Sequence, residues 1–250
     1  MFYAFTLQIS YHATSSNPTR TFNELSAVIR LTHKYNVSQV EEQALSSLHE
    51  FDFPTSFSAY SNPLPGSPLA VDPWLNIAIV NLARLTDTPS LLPLALFRCT
   101  YLGSNLFDGW TREDGTVEHL AEADLCRCVD GRAILAHEYT VFLIALFDDT
   151  VSPACAQRNT CRASLRRMQR AAVCSGGLAL EHDALKDWVW VINSIAGSGQ
   201  VCRSCTGGLV ERAQTGQKGI FERLPEIFGI TVDGWGTEQL ATAVVAGEGG

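Results

Sequence analysis

Along most of the chain, apolar positions recur at helical spacing. Phe22, Leu25 and Ile29 fall on one side of a helix, with His33 one turn further on and Tyr35 near its end. A second run carries Val40, Ala44 and Leu48 four residues apart. Each run opens on a capping-box signature, Thr21…Glu24 and Ser38…Glu41, in which the hydroxyl accepts from an early main-chain N–H and the Glu reaches back to the cap. Asp72-Pro73 and Thr88-Pro89 each place a capping side chain before a proline at the first helical position. The stretches that follow, Val71 to Leu85 and Leu91 to Tyr101, are apolar nearly all round, the pattern of helices buried in a bundle.

Between these runs, Phe51 to Ala70 is rich in proline and serine and reads as a connector, and Asn105 to Val117 reads as a loop. Ala133 to Asp148 predicts a long helix with Leu135, Tyr139, Phe142 and Leu146 on one face. A polar linker, Asp149 to Thr160, precedes helices expected at Cys161–Val173, Leu180–Ile195, Thr206–Gln214 and Ile220–Phe228. Only Phe2 to Ile9 alternates as a strand would, and the tail Ala241–Gly250 reads as unstructured. The expected fold class is all-α.

Composition adds exclusions. Of 250 residues, 46% are hydrophobic and 18% charged, which sets the chain apart from disordered sequences. The net charge of −8 argues against nucleic acid as the default partner. The longest apolar run, Tyr139–Phe147, falls well short of the ~20 residues that span a bilayer. Residues 1–20 lack the basic start of a secretory signal, so the expected location is intracellular, in cytoplasm or nucleus. The eight cysteines then read as thiols or metal ligands in preference to disulfides.

Cys202-Arg-Ser-Cys205 is the sharpest chemical signal. A C-x-x-C turn lets two thiolates approach one tetrahedral zinc, and Gly199 and Gly207 on either side favour a bend. Cys155 and Cys161 form a potential partner pair, although their five-residue gap exceeds the usual two to four. If a helix from Cys161, a turn at Ser175-Gly-Gly177 and a return helix from Leu180 paired antiparallel, their outer ends would bring the two pairs together. The set Cys155, Cys161, Cys202 and Cys205 is therefore read either as a structural zinc site or as four packed thiols. Cys99, Cys126, Cys128 and Cys174 are read as packing residues.

Arg158, Arg162, Arg166, Arg167 and Arg170 cluster ahead of this loop, and three of them share a helical face that could hold phosphates or an acidic partner. A solvated helix face is the preferred reading of them, and no aromatics are interleaved for base stacking. His137-Glu138 and His182-Asp183 are isolated pairs, and no nucleophile-elbow, zincin, P-loop or dinucleotide motif occurs. An enzyme using Cys or His, or a nucleic-acid-associated regulator, is thus an alternative to a binding protein.

The order of short motifs resembles the region that follows the BTB/POZ fold in a large fungal family. Phe22 to Tyr35 with Asn36-Val37 resembles its "K-Y-D/N-V/M" helix, and Phe53-Pro54 its "F-P" connector. Asn76 to Arg84 and then Leu91 to Cys99 are similar to its "L-A-R…I-L-P-A-A-L-Y-x-C" helices, and Asp130-Gly131-Arg132 with Leu135 to its "G-R-x-x-L" step. Trp188 and the cysteines fall in the family's order, and Phe221 to Gly229 with Trp235 and Leu240 resembles its C-terminal motif, with Phe221 where a Trp is expected. The BTB fold itself has no counterpart here. The resemblance implies a protein-interaction or adaptor role without catalysis, on a helical bundle at 21–120 and a Cys-containing helical part at 121–240, with 1–20 an unassigned extension. Without a BTB head, the face of Phe22, Leu25 and Ile29 is expected to be partly open and to promote self-association.

Overall fold

In a computed structural model, residues 21–51, 53–63, 73–174, 183–197 and 199–237 are described. The strand-like Phe2–Ile9, the cap at Asp72, His182, the turn 175–177 and the tail 241–250 lie outside them. Among the described residues the fold is all-α with one small hairpin. Its helices are α1 (Phe22–Lys34), α2 (Ser38–Phe51), α3 (Phe57–Ser61), α4 (Leu75–Leu85), α5 (Leu92–Cys99), α6 (Glu122–Leu146), α7 (Arg158–Cys174), α8 (Trp188–Gly197), α9 (Arg203–Glu222) and α10 (Leu224–Ile227). Short 3-10 turns, Pro89–Leu91 and Thr100–Phe107, flank α5.

Local chemistry sets the boundaries of the first helices. Thr21 and Glu24 make both bonds of a capping box, Glu24 N–H to Thr21 Oγ1 at 3.3 Å and Thr21 N–H to Glu24 Oε2 at 3.0 Å. α1 stops where Asn36 turns left-handed (φ 55°), and Val37 N–H then reaches back to the Thr32 carbonyl at 2.8 Å. α4 ends the same way at Asp87 (φ 49°), with Thr88 N–H on the Ala83 carbonyl. These are Schellman closures in which Asn and Asp take the place usual for glycine. The second predicted capping box does not form as expected. The helix begins at Ser38 itself, and the Glu41 carboxylate instead meets His33 of α1 at 3.2 Å. Thr88 does not cap either, because its hydroxyl turns back to Thr86.

α4 and α5 are buried on nearly every side, as their apolar sequences require. α1 packs on α2 and α4, so Phe22, Leu25 and Ile29 are covered, at 6%, 6% and 0% exposure. The expected open face is therefore closed: Phe22 meets Trp110 edge-on at 5.8 Å, and His33 points outward. Trp110 belongs to the unpredicted hairpin, β1 (Trp110–Thr111) antiparallel to β2 (Val117–Glu118), which spans most of the segment read as a loop and ends one residue beyond it. Glu118 anchors it: both of its carboxylate oxygens accept from Arg30 Nη2 at 2.8 Å, and Oε2 also accepts from Asn81 Nδ2 at 3.1 Å.

The connector also carries structure of its own. Ser56 caps the short α3, which sets Phe57 and Tyr60 against Phe221 of α9, and Trp235 stacks on Phe221 at 4.8 Å. α6 starts at Glu122, eleven residues before the expected Ala133, because its first turn is tied down by Arg84 on the buried Asp124 carboxylate. Leu135, Tyr139, Phe142 and Leu146 are buried on α6 as expected. Tyr139, Phe142 and Phe147 surround Trp188, which is 1% exposed. α8 begins only at Trp188, and α9 extends the predicted Thr206–Gln214 helix through Glu222, leaving most of the predicted Ile220–Phe228 helix to the short α10. Among the described residues, no helix is long and apolar enough to cross a membrane.

Candidate metal centre

Four cysteine sulfurs converge where the turn before α7 meets the start of α9. The sulfurs of Cys155, Cys161, Cys202 and Cys205 all lie within 4.8 Å of one another. Cys155 sits in a turn closed by its N–H on the Ser152 carbonyl. Cys161 follows in the first turn of α7, on the face that also buries Ser164, Leu165 and Ala172. Cys202 is the residue flanking the start of α9, with extended backbone (φ −74°, ψ 161°), and Cys205 lies one turn in. The C-x-x-C spacing therefore works as a helix start: one thiol precedes the helix and the other returns beside it.

Cys161 and Cys205 are essentially inaccessible, Cys155 is 7% exposed and Cys202 is half-buried. Cys202 Sγ stands 3.6 Å from Cys155 Sγ, and the Cys202 N–H donates to Cys161 Sγ at 3.3 Å. The Cys205 main-chain N–H draws the Cys202 thiol down to about 7, while burial pushes Cys205 up to about 12 and raises Cys161 as well. Where one thiolate forms, its neighbours are held as thiols unless a cation neutralises them. The Arg212 guanidinium, held by the Asp148 carbonyl at 2.8 Å, is near enough to sense charge on Cys205. Such a cluster can hold a metal ion. Tetrahedral thiolate–zinc bonds of about 2.3 Å put sulfurs roughly 3.8 Å apart, so side-chain shifts of about an ångström suffice.

The four cysteines grouped from the sequence do converge, but by a different route from the expected hairpin. α7 and α8 do not pair as a hairpin; α7 packs on α6, and α8 on α9, which itself lies along α6. The long α6 is thus the common platform that brings the two cysteine pairs together. Of the other cysteines, Cys99 and Cys128 pack together between α5 and α6 as expected. Cys126 and Cys174 are exposed instead of packed. Cys126 lies two residues from Cys128, more than half a helical turn round α6, and Cys174 is the last residue of α7.

The arginines of α7 face outward, with Arg166 paired to Asp149 at 2.6 Å and Arg167 and Arg158 bonded to Ser164 Oγ and the Pro153 carbonyl. His137 is exposed, and its neighbour Glu138 pairs with Arg223. Comparison with protein-family models, with curated proteins and with solved structures finds no match.

Proposed function

We propose that this chain is a helical protein-interaction module whose C-terminal part is held together by a structural zinc ion on Cys155, Cys161, Cys202 and Cys205. The observation that carries this reading is the convergence of four sulfurs from two separate chain segments onto one point. Burying four hydrogen-bonded thiols there gains little by itself, whereas four ligands around one zinc can contribute on the order of 10 kcal/mol to folding. With every position filled by cysteine, the ion would have a structural role and no open position for substrate. Arg212 would offset part of the net negative charge of a four-thiolate zinc.

The interaction role is supported by the resemblance to the region after a BTB fold and by the outer face of α6. Val129, Ile134, Val141 and Ile144 are 53%, 40%, 48% and 46% exposed along it. From Val129 to Ala145 this face runs about 24 Å at the helical rise. We assign it to a second copy of the chain. An antiparallel pairing about His137 would set Ala133 opposite Val141 and Ile144 opposite Asp130, and a two-fold contact repeats each such pair on both sides of its axis.

Metal analysis of natively purified protein tests the first part. About one zinc per chain is expected, lost together with thermal stability in Cys205→Ser. Metal-free protein whose melting a chelator leaves unchanged would show a thiol cluster instead. Light scattering tests the second: a dimer is expected, converted to monomer by Val141→Glu. A monomeric wild type would remove the second copy as occupant.

A further inference from the structure

The end of α2 carries a hydrogen-bonded pair that no sequence motif announces. His49 lies in its last turn, and the chain then folds back so that the Phe53 carbonyl meets His49 Nδ1 at 3.1 Å. On the other side of the ring, Nε2 is 3.1 Å from Ser90 Oγ, in the 3-10 turn that leads into α5. A carbonyl can only accept, so Nδ1 must carry the proton. A neutral imidazole has one N–H, so Nε2 is a lone pair and Ser90 must donate to it. Both bonds therefore have a fixed direction, running from hydroxyl to base to an orienting acceptor. This is the order found in nucleophilic hydrolases, with a main-chain carbonyl in place of the usual carboxylate.

The pair opens onto space. A cavity of about 640 Å³ is lined by His49 and Ser90 together with Thr55, Ser56, Asp233 and Thr237. It is closed on one side where the Gly236 N–H bonds the Thr55 carbonyl at 2.8 Å, drawing the 233–237 turn over the connector. Its size is that of a small-molecule site. No lysine or arginine is among its lining residues, so an anionic ligand would meet no counter-charge there.

We propose that Ser90 is a base-activated nucleophile that takes the acyl group of an uncharged, activated ester or thioester bound in this cavity. Ser90 Oγ forms a bond to the carbonyl carbon as its proton passes to His49 Nε2. The bond to the leaving oxygen or sulfur breaks, and that atom takes the proton from His49. Water then repeats the sequence on the acyl-serine, releasing the acid and restoring Ser90. Nothing is oxidised or reduced. Burial holds the His49 imidazole below its ordinary value, against a smaller opposing effect of the Phe53 carbonyl, so the ring is neutral and able to accept at physiological pH.

The full-length protein is incubated with a fluorophosphonate probe and mapped by peptide mass spectrometry, with p-nitrophenyl acetate as the acyl donor in parallel. The expected result is one adduct, on Ser90, absent from Ser90→Ala and formed at least roughly a hundredfold more slowly in His49→Gln. In the wild type, the labelling rate should fall only below the usual imidazole range, a test that needs no variant. A chain unlabelled at Ser90, a His49→Gln variant labelled at the wild-type rate, or a rate without this pH dependence would each overturn the proposal. None of these results depends on the zinc centre.

Discussion

Two glycines three residues apart on α9 should respond to the same substitution with opposite sign. Replacing a helix-interior glycine by alanine removes backbone entropy from the unfolded chain and stabilises by roughly 0.5–1 kcal/mol. At Gly219 a new Cβ finds nothing within 4 Å, so Gly219→Ala should realise this gain. At Gly216 the same Cβ would meet Phe142 Cδ2 at 2.6 Å and Cε2 at 3.0 Å. That ring is 4% exposed and wedged edge-on against Trp188 at 5.2 Å, so it has little room to retreat. Overpacking a full core costs about 1–3 kcal/mol, which outweighs the helical gain and leaves Gly216→Ala less stable by about 1 kcal/mol. For a chain of this size, 1 kcal/mol moves the melting temperature by about 2–4 °C. Thermal and urea unfolding of the two variants beside the wild type should show Gly219→Ala melting higher and Gly216→Ala lower. Stabilisation by both would mean that Phe142 does not sit against α9 as described.

Other expectations follow from single buried groups. Trp188→Ala should cost about 3–5 kcal/mol, because it empties the centre of the Tyr139, Phe142 and Phe147 cluster; a loss below 1 kcal/mol in urea unfolding would contradict that packing. Arg84→Ala strips the bidentate partner from Asp124, whose side chain is 4% exposed, but Arg127 at 3.3 Å and solvent around the half-exposed Arg84 take up part of the charge. A loss of about 1–2 kcal/mol is expected, and salt should change it little. His49 titrates below its unfolded value, so in acid the unfolded chain binds a proton that the native chain refuses. Stability should therefore fall as pH drops through about 6.5 towards the lower native value, and His49→Gln should flatten that part of the curve in urea titrations from pH 7.5 to 5.

The helices were legible because their information is local. The Thr21–Glu24 box and the apolar runs of α4 and α5 act within a turn or two, and the chain obeys them wherever no distant partner competes. Where one does compete, the local rule gives way: Glu41 leaves its own helix start for His33, and Arg84 secures the first turn of α6 well before the apolar pattern begins. Which four of the eight cysteines lie close together could also be read from the C-x-x-C and its upstream pair. That they meet is a property of α6, which gives α7 and α9 one surface to pack on, and helix spacing carries no record of which neighbour a face will find. Ser90 and His49 lie forty-one residues apart with no motif between them, so only the fold-back at Phe53 and the placement of α5 bring them within hydrogen-bond distance. The burial of Phe22, Leu25 and Ile29 follows the same logic: sequence marked that face as apolar, and α2, α4 and the Trp110 hairpin decided that it would be covered.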